Sequence, residues 1–210
     1  MNITVFGGTG GTGLLVIQKA LDKGYCVTTF ARTPSKIPIH HDHLRIVKGE
    51  LTETDKIETA IKNADAVINI LGPIGRTTGL PVSNGIRNIV AAIQKHSVKR
   101  LIATTTPSYK DPNDRPTLVL ALGIVLIKCL FKDAYRNVME IGKHVANSDL
   151  DWTLVQVPRM TKKRATGKLN IGYHGDGKVK FVLTRDDLAD FLLQQIEDKT
   201  YIRKAPAISN

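Results

Sequence analysis

Five glycines crowd into seven positions near the start of the chain: Gly7, Gly8, Gly10, Gly11 and Gly13. A residue with no side chain does chemistry only by letting backbone come close to something else. They fit two overlapping frames, Gly8-x-Gly10-x-x-Gly13 and Gly7-x-x-Gly10-x-x-Gly13. In such a turn one glycine makes the bend and the next admits a pyrophosphate. The last lets a helix pack on its strand, and the helix N-terminus offers free N–H groups and the positive end of its dipole. The context fits. Asn2–Phe6 (NITVF) reads as a buried strand, Leu14, Ile17 and Leu21 recur at helical spacing, and Gly24 stops the helix. An ordinary flexible loop would not place five glycines between a strand and an amphipathic helix. The stretch Gly7–Gly13, with Thr9 and Thr12, is the candidate dinucleotide cradle.

The end of the second predicted strand, Tyr25–Ala31, bears on which dinucleotide. NAD sites usually place Asp or Glu there to hold the ribose hydroxyls. This chain reads Phe30-Ala31-Arg32-Thr33, without a carboxylate. The planar guanidinium of Arg32 suits a 2′-phosphate, and Ser35 and Lys36 could add contacts. Arg32 as a plain surface arginine is the alternative. The missing acid and the present base together favour NADP(H).

Alternating strands and helices must position these residues, which implies a parallel sheet. After a loop with Pro34 and Pro38, Leu44–Val47 is the third strand. Thr52 is placed to cap a helix carrying Ile57, Ala60 and Ile61, with Asp55 as its box partner. Ala66–Leu71 is the fourth strand, ending at Gly72. Ile86, Ile89, Val90 and Ile93 stripe the next helix, and Arg100–Thr104 is the fifth strand. Helix is expected over 118–146, broken near Phe131–Asp133, after an irregular loop marked by Pro107, Pro112 and Pro116. Trp152–Val157 is the sixth strand. Leu169–Tyr173 and Lys178–Leu183 read as a hairpin about Gly175-Asp176-Gly177. A final helix starts at Thr184, with Asp187 as box partner.

The 210 residues suit one α/β domain. The chain opens on its first strand with no charged, apolar leader, so no secretory signal is expected. The two cysteines, Cys26 and Cys129, form no disulfide framework or metal spacing, and Cys26 reads as a buried small hydrophobe. A reduced, cytoplasmic setting is the default. The net charge of +11 calls for an anionic partner or a solvated surface. The basic residues are scattered apart from Lys162-Lys163-Arg164, and there is no nucleic-acid motif, so small anionic ligands are favoured over nucleic acid. The apolar run Leu118–Leu130 is too short to span a bilayer and contains Lys128. A core helix, a hydrophobic substrate flap or an oligomer interface is expected instead, with no transmembrane segment. His40, His41 and His43 read as a solvated loop and not as a metal site. His96 and His144 are expected to be exposed on their helices.

Several segments carry a resemblance. The turn Gly7–Gly13, Ala31-Arg32, Gly49-Glu50, Gly85–Lys95 (GIRNIVAAIQK), Leu150–Pro158 (LDWTLVQVP) and Arg185–Leu193 (RDDLADFLL) look like the atypical short-chain dehydrogenase/reductase group. Within it the chain is most similar to the biliverdin IXβ reductase/flavin reductase branch. The resemblance implies that Gly7–Gly13 holds the pyrophosphate and Arg32 meets the 2′-phosphate. Glu50 and Leu51 would lie by the adenine, although relatives more often have Asp at the position of Glu50. Leu71 and Gly72 would line the nucleotide. Thr104, Thr105 and Thr106 would border the nicotinamide, with Pro158 behind its carboxamide. The branch usually has serine where this chain has Thr106 and histidine where it has Arg159. The Tyr-x-x-x-Lys pair of short-chain dehydrogenases proper is missing, because Tyr135 is followed four residues later by Met139. Alcohol–ketone interconversion through a lysine-lowered tyrosine is therefore disfavoured.

These features together predict an α/β, Rossmann-type, doubly wound single domain over residues 1–210. A small substrate lobe would come mainly from 107–150 and 158–185. The expected activity is NADPH-dependent hydride transfer to a flavin, a tetrapyrrole or a similar planar acceptor, anionic or aromatic. A proton would be guided by Thr106 or Ser108 or come from solvent. Tyr109 is a further candidate donor, with a structural role as the alternative. Arg159 would neutralise a substrate acid or be a surface residue. The other readings are an NADP(H)-binding redox sensor acting through a protein partner and, less favoured, a nucleotide-sugar epimerase or dehydratase. A monomer or small homo-oligomer is expected.

Overall fold

The computed structural model describes residues 1–73, 78–115 and 117–210; Pro116 lies outside them. The chain alternates β1 (Asn2–Phe6), α1 (Gly11–Asp22), β2 (Cys26–Ala31), β3 (Leu44–Lys48), α2 (Thr54–Ile61), β4 (Ala66–Asn69), α3 (Pro81–Lys95) and β5 (Arg100–Thr105). Two consecutive helices follow, α4 (Leu118–Leu130) and α5 (Lys132–Ala146), then β6 (Asp151–Gln156). The rest holds β7 (Arg159–Thr161), β8 (Asn170–Gly172), β9 (Val182–Thr184), α6 (Arg185–Gln194) and β10 (Ala207–Ser209). Among the described residues the main sheet runs β3-β2-β1-β4-β5-β6-β10-β8, parallel from β3 through β10, with β8 antiparallel at the edge. This is the doubly wound α/β order, and its strand sequence reverses at β1, which lies between β2 and β4.

Burial explains the order. Helices cover both faces, so the central strands are buried and mostly apolar: every residue of β4 is buried, as are Ile3–Phe6 of β1. One core layer joins Val16, Ile17 and Ala20 of α1 to Leu188, Phe191 and Leu192 of α6. The opposite layer joins Ile57 and Ile61 of α2, Ile86, Ile89 and Ile93 of α3, and Ile141 and Val145 of α5. A buried guanidinium locks the end of α6 to this frame. Arg100 donates to the carbonyls of Gln195 and Asp151 and to Thr153 Oγ1. Burial pulls its pKa down to about 10.

Several sequence expectations need correction. The segment over 169–183 is not a hairpin. The turn forms, with Asp176 accepting from the N–H groups of Tyr173 and Lys178, but β8 pairs with β10 and β9 pairs in parallel with β7. Thr52 does not cap α2. Glu53 is the N-cap, and its carboxylate accepts from the Glu50 N–H at 2.7 Å. Cys26 is exposed, because it opens β2 at the amino-terminal rim of the sheet. β4 ends at Asn69, so Leu71 and Gly72 are loop residues. His96 and His144 are half-buried. The cap of α6 forms as expected: Thr184 Oγ1 accepts from the Asp187 N–H at 3.1 Å and donates to its carboxylate at 2.6 Å.

Candidate cofactor and acceptor site

The glycine turn lies at the carboxyl end of β1, beside the reversal of strand order. Gly7 bends the chain at φ +89°, a backbone conformation costly to residues with a Cβ. Its carbonyl accepts from the Gly10 N–H at 3.1 Å. Gly13 sets how closely α1 approaches the turn, because a Cβ there would stand 2.2 Å from Gly7 O and 2.7 Å from Gly8 Cα. Gly10 is the N-cap of α1 and supplies no side-chain cap, and no acidic residue lies in the first turn. The opening N–H groups of α1 therefore have no partner inside the helix and face outward past exposed Gly10 and Gly11. Thr9 is half-buried beside them. Thr12 is buried and donates its hydroxyl to Met160 Sδ at 3.6 Å. Such a cradle fits a diphosphate.

Arg32 is exposed at the end of β2. Glu50 is exposed after β3, while Leu51 fits against Gly85, where a Cβ would fall 2.6 Å from Leu51 Cδ1. Leu51 O accepts from Asn88 Nδ2 at 2.9 Å. These groups lie on the β2–β3 side of the turn.

On the other side, a niche of ≈ 230 Å³ is lined by Leu71, Gly72, Thr104, Thr105, Thr106 and Pro158, closed by Ile141, Met160 and Leu188. Thr105 Oγ1 is buried with no hydrogen-bond partner among the described residues, as is Asn69 Nδ2 at the end of β4. Orphaned polar atoms at the strand ends are what a polar ligand group would satisfy. A larger cavity of ≈ 640 Å³ adjoins the niche, and Thr106, Val138, Val157 and Pro158 line both. Its walls are mostly apolar. Val119, Leu120, Ile124 and Ile127 of α4 face it, with Phe131, Val138 and Phe181. Among the described residues, polar groups enter from Thr106, Ser108, Tyr135 and Arg159. Ser108 is buried, and its N–H donates to Thr106 Oγ1 at 3.3 Å.

The structure thus brings Thr104, Thr105, Thr106, Ser108, Leu71, Gly72 and Pro158 together, with Arg32 and Glu50 across the turn. Tyr109 lines neither space. Its ring packs on Gly142, and burial raises its pKa. The placement of Arg185, Met160 and Tyr135 at the site was not read from the sequence, although Tyr135 was named there for the missing Tyr-x-x-x-Lys pair. The guanidinium of Arg185 lies over the turn, 3.1 Å from where a Cβ on Gly11 would be. An arginine in the first turn of α6 opposes that helix's own dipole, a local signal that it faces an anion. The half-buried Tyr135 lines the cavity from α5.

The expectation of a core helix over Leu118–Leu130 is corrected: no residue of α4 is buried. One face roofs the cavity and the other is open. The loop before it is nonetheless pinned, since Asp111 accepts from Ala205 N–H and Asp114 from His174 N–H and Gln156 Nε2. No helix among the described residues is long and apolar enough to cross a membrane.

The comparisons with known proteins agree with this fold. Over 118 residues the chain is 27% identical to a 3 beta-hydroxysteroid dehydrogenase/Delta 5-->4-isomerase of Mycobacterium tuberculosis, covering 50% of this chain and 32% of that protein. The chain thus spans about a third of the length of the first curated relatives it matches. A short-chain dehydrogenase/reductase from Veillonella parvula, solved in complex with NADP, superposes with a TM-score of 0.79 at 16% identity, covering 100% of this chain and 94% of that one. An anaerobillin reductase from Escherichia coli O157:H7 superposes at 0.80 and 16% identity, covering 100% and 97%. At such identities the likeness is one of fold. The model of the NAD(P)H-binding family matches residues 7–199, and with that span, from the glycine turn to beyond α6, the chain belongs to the NAD(P)H-binding family.

Proposed function

We propose that the protein is an NADPH-dependent reductase of a flat, conjugated, largely apolar acceptor, such as a flavin or a linear tetrapyrrole. The observation that carries this reading is the union of the ≈ 230 Å³ niche at the strand ends with the ≈ 640 Å³ apolar cavity beneath α4. The niche suits a nicotinamide edge, and the larger space suits a planar partner stacked beside it. Bound NADPH would supply a hydride. The chain's own residues would bind, orient and exclude water. Gly7–Gly13 would hold the pyrophosphate on the N-terminus of α1, with Arg185 above it. Arg32 would pair with the 2′-phosphate, and Glu50 and Leu51 would flank the adenine. Leu71, Gly72, Thr104, Thr105 and Pro158 would surround the nicotinamide. Thr106 lines both spaces and, with Ser108 beside it in the larger cavity, would guide a proton, while Arg159 at the rim would take an acidic edge of the acceptor. The lack of a lysine four residues after Tyr135 fits chemistry that needs no tyrosinate.

The test is NADPH oxidation by the purified protein, followed by absorbance, with FMN, riboflavin or biliverdin added and NADH as control. Oxidation that depends on the acceptor and exceeds the enzyme-free rate supports the reductase. NADPH binding without turnover on any acceptor refutes it and favours the second reading, an NADP(H)-binding sensor acting through a protein partner, to which the absent Tyr/Lys pair is equally suited.

A further inference from the structure

The most unusual surface of the molecule is the outer face of α4. Leu118 is 84% exposed, Leu122 70%, Val125 56% and Leu126 59%. With Ala121 and Cys129 they form one stripe along the helix, on the side away from the cavity-lining Leu120, Ile124 and Ile127. The helix is therefore apolar on both faces because one face meets the cavity and the other meets something equally apolar. Phe131 and Phe181, in the cavity wall, are also 46% and 57% exposed. A contiguous apolar surface of this kind marks an interaction site.

Charge identifies the occupant. The stretches 106–132 and 157–182, which build the cavity walls and the surrounding lobe, carry eleven basic residues and three acidic ones. Asp111 and Asp114 are occupied by backbone and side-chain donors, and Asp176 by the N–H groups of its own turn. Lys110, Arg115, Lys128, Lys132, Lys162 and Lys163 are exposed. Most of the net charge of +11 is thus gathered in the lobe that bears the apolar stripe. A second copy of the chain docked here would bring two strongly basic lobes together, which is repulsive. Apart from the Cys129 thiol, the outer stripe offers no side-chain hydrogen-bonding group, so a partner that demands none is favoured. An apolar helix face that carries Lys128, is followed by Lys132 and belongs to a lobe this basic matches the boundary of an anionic bilayer, where acyl chains take the stripe and headgroups take the lysines.

We propose that α4 seats the protein on anionic lipid membranes, lying in the interface with Leu118, Leu122, Val125 and Leu126 toward the acyl chains. The cavity beneath its inner face then opens at the headgroup level, and it would draw a lipophilic acceptor from the membrane. The docking does not depend on the reductase reading.

The test is co-sedimentation of the full chain with phosphatidylcholine vesicles, with and without phosphatidylglycerol, at low and high salt. Sedimentation velocity without lipid reports the oligomeric state. The wild-type protein is expected to bind only vesicles containing phosphatidylglycerol, less so at high salt, and to sediment as a monomer alone. Leu122→Glu/Leu126→Glu should weaken vesicle binding about tenfold or more, because two apolar anchors become anions at an anionic surface. Lys128→Glu/Lys132→Glu should abolish the preference for phosphatidylglycerol. Neither pair lines the cavity or the glycine turn, so NADPH binding should be unchanged, which also reports that the variants fold. Failure to bind anionic vesicles overturns the proposal. So does binding that ignores the leucine substitutions, or a lipid-free dimer that those substitutions dissolve.

Discussion

Replacing Gly13 by alanine adds one methyl group at the closest approach between α1 and the phosphate-side turn. That methyl would lie 2.2 Å from Gly7 O, whereas Cβ atoms essentially never come nearer than 3.0 Å to a neighbour. About 0.8 Å of separation must be found, and the obstacle is backbone, which cannot swing aside. Either α1 withdraws, against its packing on α6 through Val16, Ile17 and Ala20, or Gly7 rotates and loses the bond its carbonyl accepts from Gly10. Overpacking of this kind costs about 1–3 kcal/mol. In a chain of this size that lowers Tm by roughly 2–12 °C. The larger effect falls on the ligand: a shift approaching 1 Å moves the opening N–H groups of α1 off the pyrophosphate, and NADPH affinity should fall by about tenfold or more. Gly24→Ala is the control. Its φ of +78° makes it strained, but nothing lies within 4 Å of the added methyl, so it should cost about 1 kcal/mol of stability and leave NADPH binding alone. Thermal unfolding and fluorescence titration with NADPH read both effects. If Gly13→Ala bound NADPH as tightly as wild type, the turn would not be the phosphate cradle.

Three further outcomes are expected. Arg32→Asp should weaken NADPH binding about tenfold while leaving NADH binding equal or better; an unchanged preference between the two in titrations would rule Arg32 out as the 2′-phosphate partner. Arg185→Met should weaken NADPH binding by a similar factor and flatten its salt dependence, yet leave Tm the same or slightly higher, since a cation leaves the N-terminus of α6. Equal affinity at low salt would show that the guanidinium is a bystander. Asp187 is buried and accepts from Thr166 N, Gly167 N, Thr184 Oγ1 and Asn210 Nδ2. Burial pushes its pKa up, but these donors outweigh it and hold the carboxylate below its usual range. Its stabilisation is therefore complete above the unfolded value near 3.9 and is lost as pH falls through the lower folded value. Asp187→Asn should cost about 3 kcal/mol at neutral pH and show a shallower loss of stability on acidification; acid unfolding curves of unchanged slope would contradict this.

The part of the site built from consecutive residues was legible in the sequence. β1, the glycine turn and α1 announce themselves within one window, because the turn's steric demands and the helix period are local. The place of Arg32 just past β2 was readable for the same reason, lying at a fixed distance past that turn. What was not legible depends on distant partners. The Gly175-Asp176-Gly177 turn is real, yet β8 takes β10 and β9 takes β7, since the edges of β10 and β7 compete with the local hairpin. Hydrophobicity alone left Leu118–Leu130 open between a core helix, a substrate flap and an oligomer interface. Whether such a run is covered is decided by what packs on it, and among the described elements α5 is the main neighbour of α4. Arg185 and Met160 reach the turn from the far end of the chain, and no spacing rule links them to it.

The cradle is assembled from parts that are remote along the chain. Gly7 rests on the carbonyl of Ile70, and Arg185 lies over Gly11. A chain in which β4 or α6 has come loose presents no such surface, so a nucleotide held there would recognise only the fully folded state. Ligand binding and global folding are then one linked equilibrium. A free nucleotide concentration of one hundred times Kd adds about 2.7 kcal/mol to stability. Such a protein would unfold, and meet proteases, at a rate set partly by the nicotinamide pool, so its abundance as well as its turnover would follow the redox poise of its surroundings.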